Sequence, residues 1–172
     1  MQSAGGHIVV VTDTSVLVNF LRIDRMDLIG CHSSRFVITD HVAAEISDYY
    51  PEQQARLEAA LAAGIIAQIS VSGDIELGLF RDLNDTRRLG PGESAAIAYA
   101  IANDHALAID DRAAAGQARR LNPNLVVLGT QDIIVHLIRA GDIALDEADQ
   151  IKDTWATQHR FRLTIASFRN LL

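Results

Sequence analysis

The stretch Leu107-Ala-Ile-Asp110-Asp111-Arg112 constrains this chain more than any other. A short apolar run halts at two adjacent carboxylates. Such a run reads as a buried strand, and open α/β sheets keep their ligands outside the carboxyl ends of their strands. Two neighbouring like charges at the margin of a core repel each other and are poorly solvated. A bound cation relieves them best. What decides the role of this doublet is whether further acids reach the same edge.

The chain in order supplies them. His7-Ile-Val-Val-Val-Thr12 reads as a first buried strand that runs straight into Asp13, followed by a helix opened by Thr14 or Ser15 as cap. Asp13 is then a turn residue or a second acid at a strand end. Phe36-Val-Ile-Thr39 is a second strand, with Asp40 as N-cap of the helix that follows. Glu45 lies three residues after Val42 and beside Ile46, so helical spacing turns it towards the buried face, the alternative being a boundary position leaning into water. Pro51 to Ala63 is an Ala-rich helix ended by Gly64, Ile65–Ile69 a third strand, Gly73 to Leu83 a short helix, and Asn84 to Arg88 a polar connector. Pro91 and Gly92 open a helix in which Glu93 shares a stripe with Ile97 and Ile101, either as a capping glutamate or as another inward acid. After Asp110-Asp111 come a helix from Arg112 to Leu121, the strand Leu125–Leu128, and a helix from Gln131 to Ala140 capped by Thr130 and stopped by Gly141. Leu145 to Leu172 reads as helices with an apolar component that must pack on the domain or on a partner.

Alternation of strands and helices predicts an α/β fold with a mostly parallel sheet covered on both faces. Right-handed crossovers place the strand carboxyl ends, and hence Asp13 and the doublet, along one edge. Glu45 and Glu93, near helix starts, face that edge too. Each acid has a bland explanation alone; their convergence does not share one.

Bulk properties narrow the function. With 172 residues and 49% hydrophobic content, the chain supports one domain over 1–143 and a helical extension over 144–172. The net charge of −7 argues against a simple electrostatic nucleic-acid binder, though not against an enzyme that meets nucleic acid through metal ions and local arginines. Lys152 is the only lysine and Cys31 the only cysteine, so no intramolecular disulfide forms and a cytoplasmic setting is expected. The opening Met1 to Gly6 lacks the basic and long apolar regions of a signal peptide, and no run approaches the ~18 apolar residues of a membrane span.

The motifs Asp13-Thr-Ser-Val-Leu-Val-Asn-Phe, Glu45-Ile, Gly92-Glu93-Ser-Ala-Ala-Ile-Ala and Ile109-Asp110-Asp111-Arg112 together resemble the ordered acidic motifs of PIN domains. The resemblance covers residues 7 to 140 and is greatest to the branch that includes toxins of type II toxin–antitoxin pairs. It implies a three-layer α/β/α fold and a metal-dependent ribonuclease, with Asp13, Glu45 and Glu93 as the first three acids and Asp111 or Asp110 as the fourth. Many relatives carry Asp at the third position, so Glu93 is a longer-armed variant. The resemblance also implies a small antitoxin with an Arg-bearing tail as partner, and homodimerisation.

The donor chemistry agrees independently. Carboxylates without Cys or His ligand spacing suit Mg²⁺ or Mn²⁺ rather than zinc, and the resemblance implies Asp13, Glu93 and Asp111 as the metal-holding set. Arg87, Arg88 and Arg112 flank the acidic motifs and are candidates for holding RNA phosphates, or else solvated surface charges. A phosphoacceptor receiver domain fits poorly, because one acid follows the first strand and Lys152 is misplaced. A non-catalytic metal- or protein-binding module of the same fold is the main competitor, and structured RNA or DNA is an alternative substrate.

Overall fold

The computed structural model describes residues 8–172; Met1 to Gly6, and His7 at the head of the expected first strand, lie outside the described residues. The described elements are β1 (Val9–Thr12), α1 (Thr14–Arg22), α2 (Met26–Cys31), β2 (Arg35–Thr39), α3 (Asp40–Tyr49), α4 (Pro51–Ala62) and β3 (Ala67–Ile69). They continue with α5 (Asp74–Asp85), α6 (Pro91–Ala102), β4 (Ala106–Ala108), α7 (Arg112–Leu121), β5 (Val127–Leu128), α8 (Thr130–Ala140) and α9 (Leu145–Gln158), closing in a 3₁₀ turn at Phe168–Leu171. The five strands pair in parallel in the order β3-β2-β1-β4-β5. This is the expected α/β/α arrangement.

Alternation along β1 separates two apolar layers. Val10 joins the cluster beneath α1, α8 and α9, with Phe20, Ile38, Ile134 and Trp155. Val11 faces the other way, towards Ile97, Leu107, Ala114 and Ala118 on α6, β4 and α7. Burial on both faces is why the strands read as unbroken apolar runs. Helix α6 is deeply enclosed: Ala95, Ala96, Ala98 and Ala100 are all fully buried, and their small side chains let it lie close to the sheet.

Several local readings shift. Thr39, not Asp40, is the N-cap of α3, its hydroxyl accepting from the Val42 N–H at 3.2 Å. Asp13 itself caps α1 in place of Thr14 or Ser15. Asn84 and Asp85 belong to α5, which shortens the connector, and β3 is only Ala67–Ile69. Helix α2 had no clear periodic signature in its six residues. Beyond α9 the chain from 159 to 167 is not helical.

The tail is nevertheless tied to the core. Trp155 is fully buried, its indole N–H donates to the Asn19 carbonyl at 2.8 Å, and its ring meets Phe20 and Phe161 edge-on at 5.7 and 5.5 Å. Trp155→Ala is expected to lower the unfolding free energy in urea by ~3–5 kcal/mol, the usual cost of emptying an aromatic site. Trp155→Phe, which keeps most of the packing and loses the N–H bond, should cost ~1 kcal/mol. Equal stability of the Ala variant and the parent would show that α9 is not docked.

Candidate metal centre

Asp13 and Asp111 are each held by the first turn of the helix that follows. β1 delivers Asp13 into a carboxyl-edge position that is 1% exposed, where Oδ2 accepts from the Ser15 N–H at 3.1 Å. Its other oxygen, Oδ1, is buried and makes no hydrogen bond. Burial pushes this carboxyl above its ordinary range, and the charge of Glu45 adds to the effect, while hydrogen bonding from Ser15 opposes it.

Glu45 comes across from α3. Its Oε2 accepts from the Thr14 hydroxyl at 2.7 Å and its Oε1 from the Gly92 N–H at 2.8 Å, so it clamps the starts of α1 and α6 together. The inward reading of its helical spacing holds, with the turn supplied by partners rather than by water. Gly92 is small for this reason: a Cβ there would approach the Glu45 carboxylate more closely than real Cβ contacts come.

Glu93 reaches back to accept from the Gly90 N–H at 3.1 Å, which makes it a helix-start glutamate as well as an inward acid. Burial raises its carboxyl above the ordinary range, and the charges of Asp13, Asp111 and Glu45 raise it further against the Gly90 bond. Asp13, Glu45 and Glu93 line one open cavity of about 350 Å³ together with Thr14, Ser15, Tyr49, Tyr50 and Gly90. No basic side chain is among its lining residues.

The doublet divides. Asp111 is exposed, caps α7 by accepting from the Ala114 N–H at 2.8 Å, and is close enough to influence Glu93. Asp110 turns the other way and grips the start of α8. It accepts from the Thr130 N–H at 2.8 Å, the Thr130 hydroxyl at 2.6 Å and the Asn19 amide at 3.1 Å. Burial raises its carboxyl against those bonds. Of the three flanking arginines, Arg88 and Arg112 share a separate cavity, and Arg87 does not line it.

Sequence reasoning passed over Thr14, Asn19, Gly92 and Thr130 as partners of the acids. The available signals were a hydroxyl residue directly after a strand-end acid and a Gly-Thr pair at the end of β5.

An oxygen-preferring divalent cation fits this donor set. All the donors are carboxylates, and the buried Asp13 Oδ1 lacks any partner within the protein. Among the described residues no three of the acids form a closed coordination shell.

Because the Asp13 carboxyl is raised in the folded state, stability falls as the pH rises from the ordinary 3.8 to the folded value; the penalty is complete above the folded value and absent below 3.8. Asp13→Asn, which retains an acceptor for Ser15, should therefore raise the melting temperature at pH 7. The gain is read against roughly 2–4 °C for each kcal/mol relieved in a chain of this size. It should shrink as the pH is lowered towards 4, as followed by thermal melts across pH. A gain independent of pH would exclude the buried charge as its cause.

Residues 9–172 match the family model described as PIN domain. No functionally curated protein matches the sequence. Among solved structures, a PilT N-terminus domain protein from the hyperthermophilic archaeon Sulfolobus solfataricus superposes with a TM-score of 0.50 at 18% identity, covering 73% of this chain and 90% of that one. VapBC2 from Rickettsia felis, bound to a DNA fragment from its promoter, gives a TM-score of 0.49 at 17% identity, covering 71% of this chain and 98% of that one.

Proposed function

Because this chain belongs to the PIN-domain family, we propose that it is a metal-dependent endoribonuclease, the toxin-like member of a toxin–antitoxin pair. Family membership supports a nuclease, and so a hydrolase of phosphodiester bonds. The observation that carries the finer reading is the unpartnered, buried Asp13 oxygen in a protein whose neighbouring acids meet no basic side chain in their pocket. Uncompensated carboxylates of this kind are costly to fold around and are useful chiefly as ligands.

Asp13, Glu93 and Asp111 are the residues that would hold Mg²⁺ or Mn²⁺. When bound, the ion eases formation of a nucleophile from water and stabilises charge on the leaving oxygen. Glu45, fixed by Thr14 and Gly92, orients the attacking water and keeps α3 and α6 in register around the site. Asp110 is a positioning residue, because its oxygens are committed to Thr130 and Asn19. Arg88 and Arg112 hold the polynucleotide backbone beside the acids. The partners are an RNA substrate, a small antitoxin with an arginine-bearing tail and a second copy of the chain, as the likeness to the toxin branch implies.

One observation favours a binding module instead. Asp13, Glu93 and Asp111 all satisfy helix-start N–H groups and so have a structural use without catalysis. Metal affinity without cleavage would decide for that module.

End-labelled single-stranded RNA should be cut by the purified protein with Mg²⁺ or Mn²⁺ and left intact in EDTA. Asp13→Asn and Asp111→Asn should each lose on the order of a hundredfold or more in rate. Full activity in EDTA would overturn the proposed mechanism.

Two further variants separate roles. Asp110→Asn is expected to lower the melting temperature more than it lowers the cleavage rate, whereas Asp111→Asn does the reverse. Gly92→Ala should stay folded, since the crowded group is the end of a flexible side chain, yet lose cleavage because Glu45 is displaced. Parent-like cleavage by Gly92→Ala would remove Glu45 from the site.

A further inference from the structure

We propose that the outer face of α7 forms a seat for a backbone phosphate of single-stranded polynucleotide, with Arg88, Arg112 and Arg120 around a floor opened by Gly116. This rests on the nuclease reading for its choice of ligand, and on a cavity outside the acidic site for its geometry.

The cavity has a volume of about 260 Å³ and is lined by Arg88, Arg112, Gly116, Gln117 and Arg120, among others. Arg112, Gly116 and Arg120 stand at four-residue spacing on α7, so they share one face of that helix. The opposite face of α7, Ala114, Ala115 and Ala118, is buried against the sheet. Arg88 arrives from across the cavity because Arg87 takes a left-handed φ of 53°, which reverses the chain after α5. A non-glycine residue adopts that conformation at a cost. Among the described residues the ion pairs of basic groups involve Arg25, Arg56 and Lys152, so none of the cavity arginines is neutralised by a carboxylate. Like charges gathered around one space are relieved by an anion, and the guanidinium fork suits phosphate.

Gly116 supplies the second line of argument. Glycine in the interior of a helix is destabilising relative to alanine. A Cβ at this position would meet no protein atom within 4 Å, so packing does not require glycine here. What a methyl group would occupy is the cavity itself. A bare patch of helix between two arginines is what a ligand approaching the α7 backbone needs.

The position of the cavity favours a polymer over a lone anion. Arg112 directly follows Asp111, and Arg88 is separated from Gly90, the partner of Glu93, by Leu89 alone. A strand with successive phosphates reaches both places; a single phosphate has no use for the second.

Binding is measured by anisotropy of a fluorescent single-stranded RNA in EDTA, with Asp13→Asn as the parent so that cleavage does not intervene. Arg88→Gln and Arg120→Gln should each weaken binding roughly tenfold, as loss of a charge-assisted hydrogen bond does. Each should also reduce the slope of log K against log salt by ~0.7, the value for one phosphate of a single strand. Arg119→Gln, which removes the neighbouring charge on the same helix but does not line the cavity, should bind as the parent does. Gly116→Ala should raise the melting temperature while weakening RNA binding, a pairing that a purely structural role does not produce.

The seat is overturned if the parent does not bind RNA, if Gly116→Ala binds as the parent does, or if Arg119→Gln and Arg120→Gln are equally impaired. In a separate arm, inorganic phosphate is titrated against the thermal melt. If it saturates the arginines as tightly as RNA does, the cavity is a small-anion site and the polynucleotide assignment falls. The nuclease reading is scored apart from this, by metal-dependent cleavage with Asp13 intact.

Discussion

A carboxylate placed at the end of a central buried strand, with one oxygen bonded to the first turn of a helix and the other left over, is the constraint around which this protein is arranged. β1 has neighbours on both sides and buried side chains on both faces, so Asp13 is almost wholly buried, at the wall of the open cavity it shares with Glu45 and Glu93. Everything at that edge bears on its charge. The N–H groups at the start of α1 face it, Glu45 approaches from α3 and makes its ionisation harder, and Asp13 in turn raises the carboxyl of Glu93 on α6. A fold of this size has only a small margin of stability. Keeping several such groups at one edge spends part of that margin on something other than folding.

Much of this was legible in the residues. The parallel sheet followed from apolar runs alternating with amphipathic segments, and the placement of Asp13 and the doublet along one edge followed from right-handed crossovers. The capping and inward readings of Asp13 and Glu93 turned out not to compete. A helix start offers N–H groups and a favourable dipole, so one oxygen of the carboxylate satisfies the backbone while the group still faces its neighbours. Local sequence does not separate these uses because one geometry serves both.

What escaped was set by contacts between distant segments. Asp110 and Asp111 are adjacent, chemically alike and at the end of the same strand, yet one grips α8 and the other caps α7. Only the position of Thr130, brought in by β5, distinguishes them. The displaced cap at Thr39 is a one-residue matter of which oxygen reaches the Val42 N–H. Helix α2 is too short to show a period, and the non-helical path after α9 opens on a left-handed Arg160 with φ 55° and leads to Phe161, packed against the core, and Phe168, buried in it.

The side chain of Asn19 gathers several of these threads. Its amide donates to the Ser15 carbonyl, to Asp110 and to the Thr130 hydroxyl, and the backbone carbonyl of the same residue receives the Trp155 indole. The acids proposed to hold the ion, ending with Asp111, all precede Thr130 and Trp155 in the chain. Synthesis proceeds from the N-terminus. On the ribosome, therefore, the acidic edge emerges complete in composition before it has its backing. The groups on α8 and α9 that complete the Asn19 network behind it are made only afterwards.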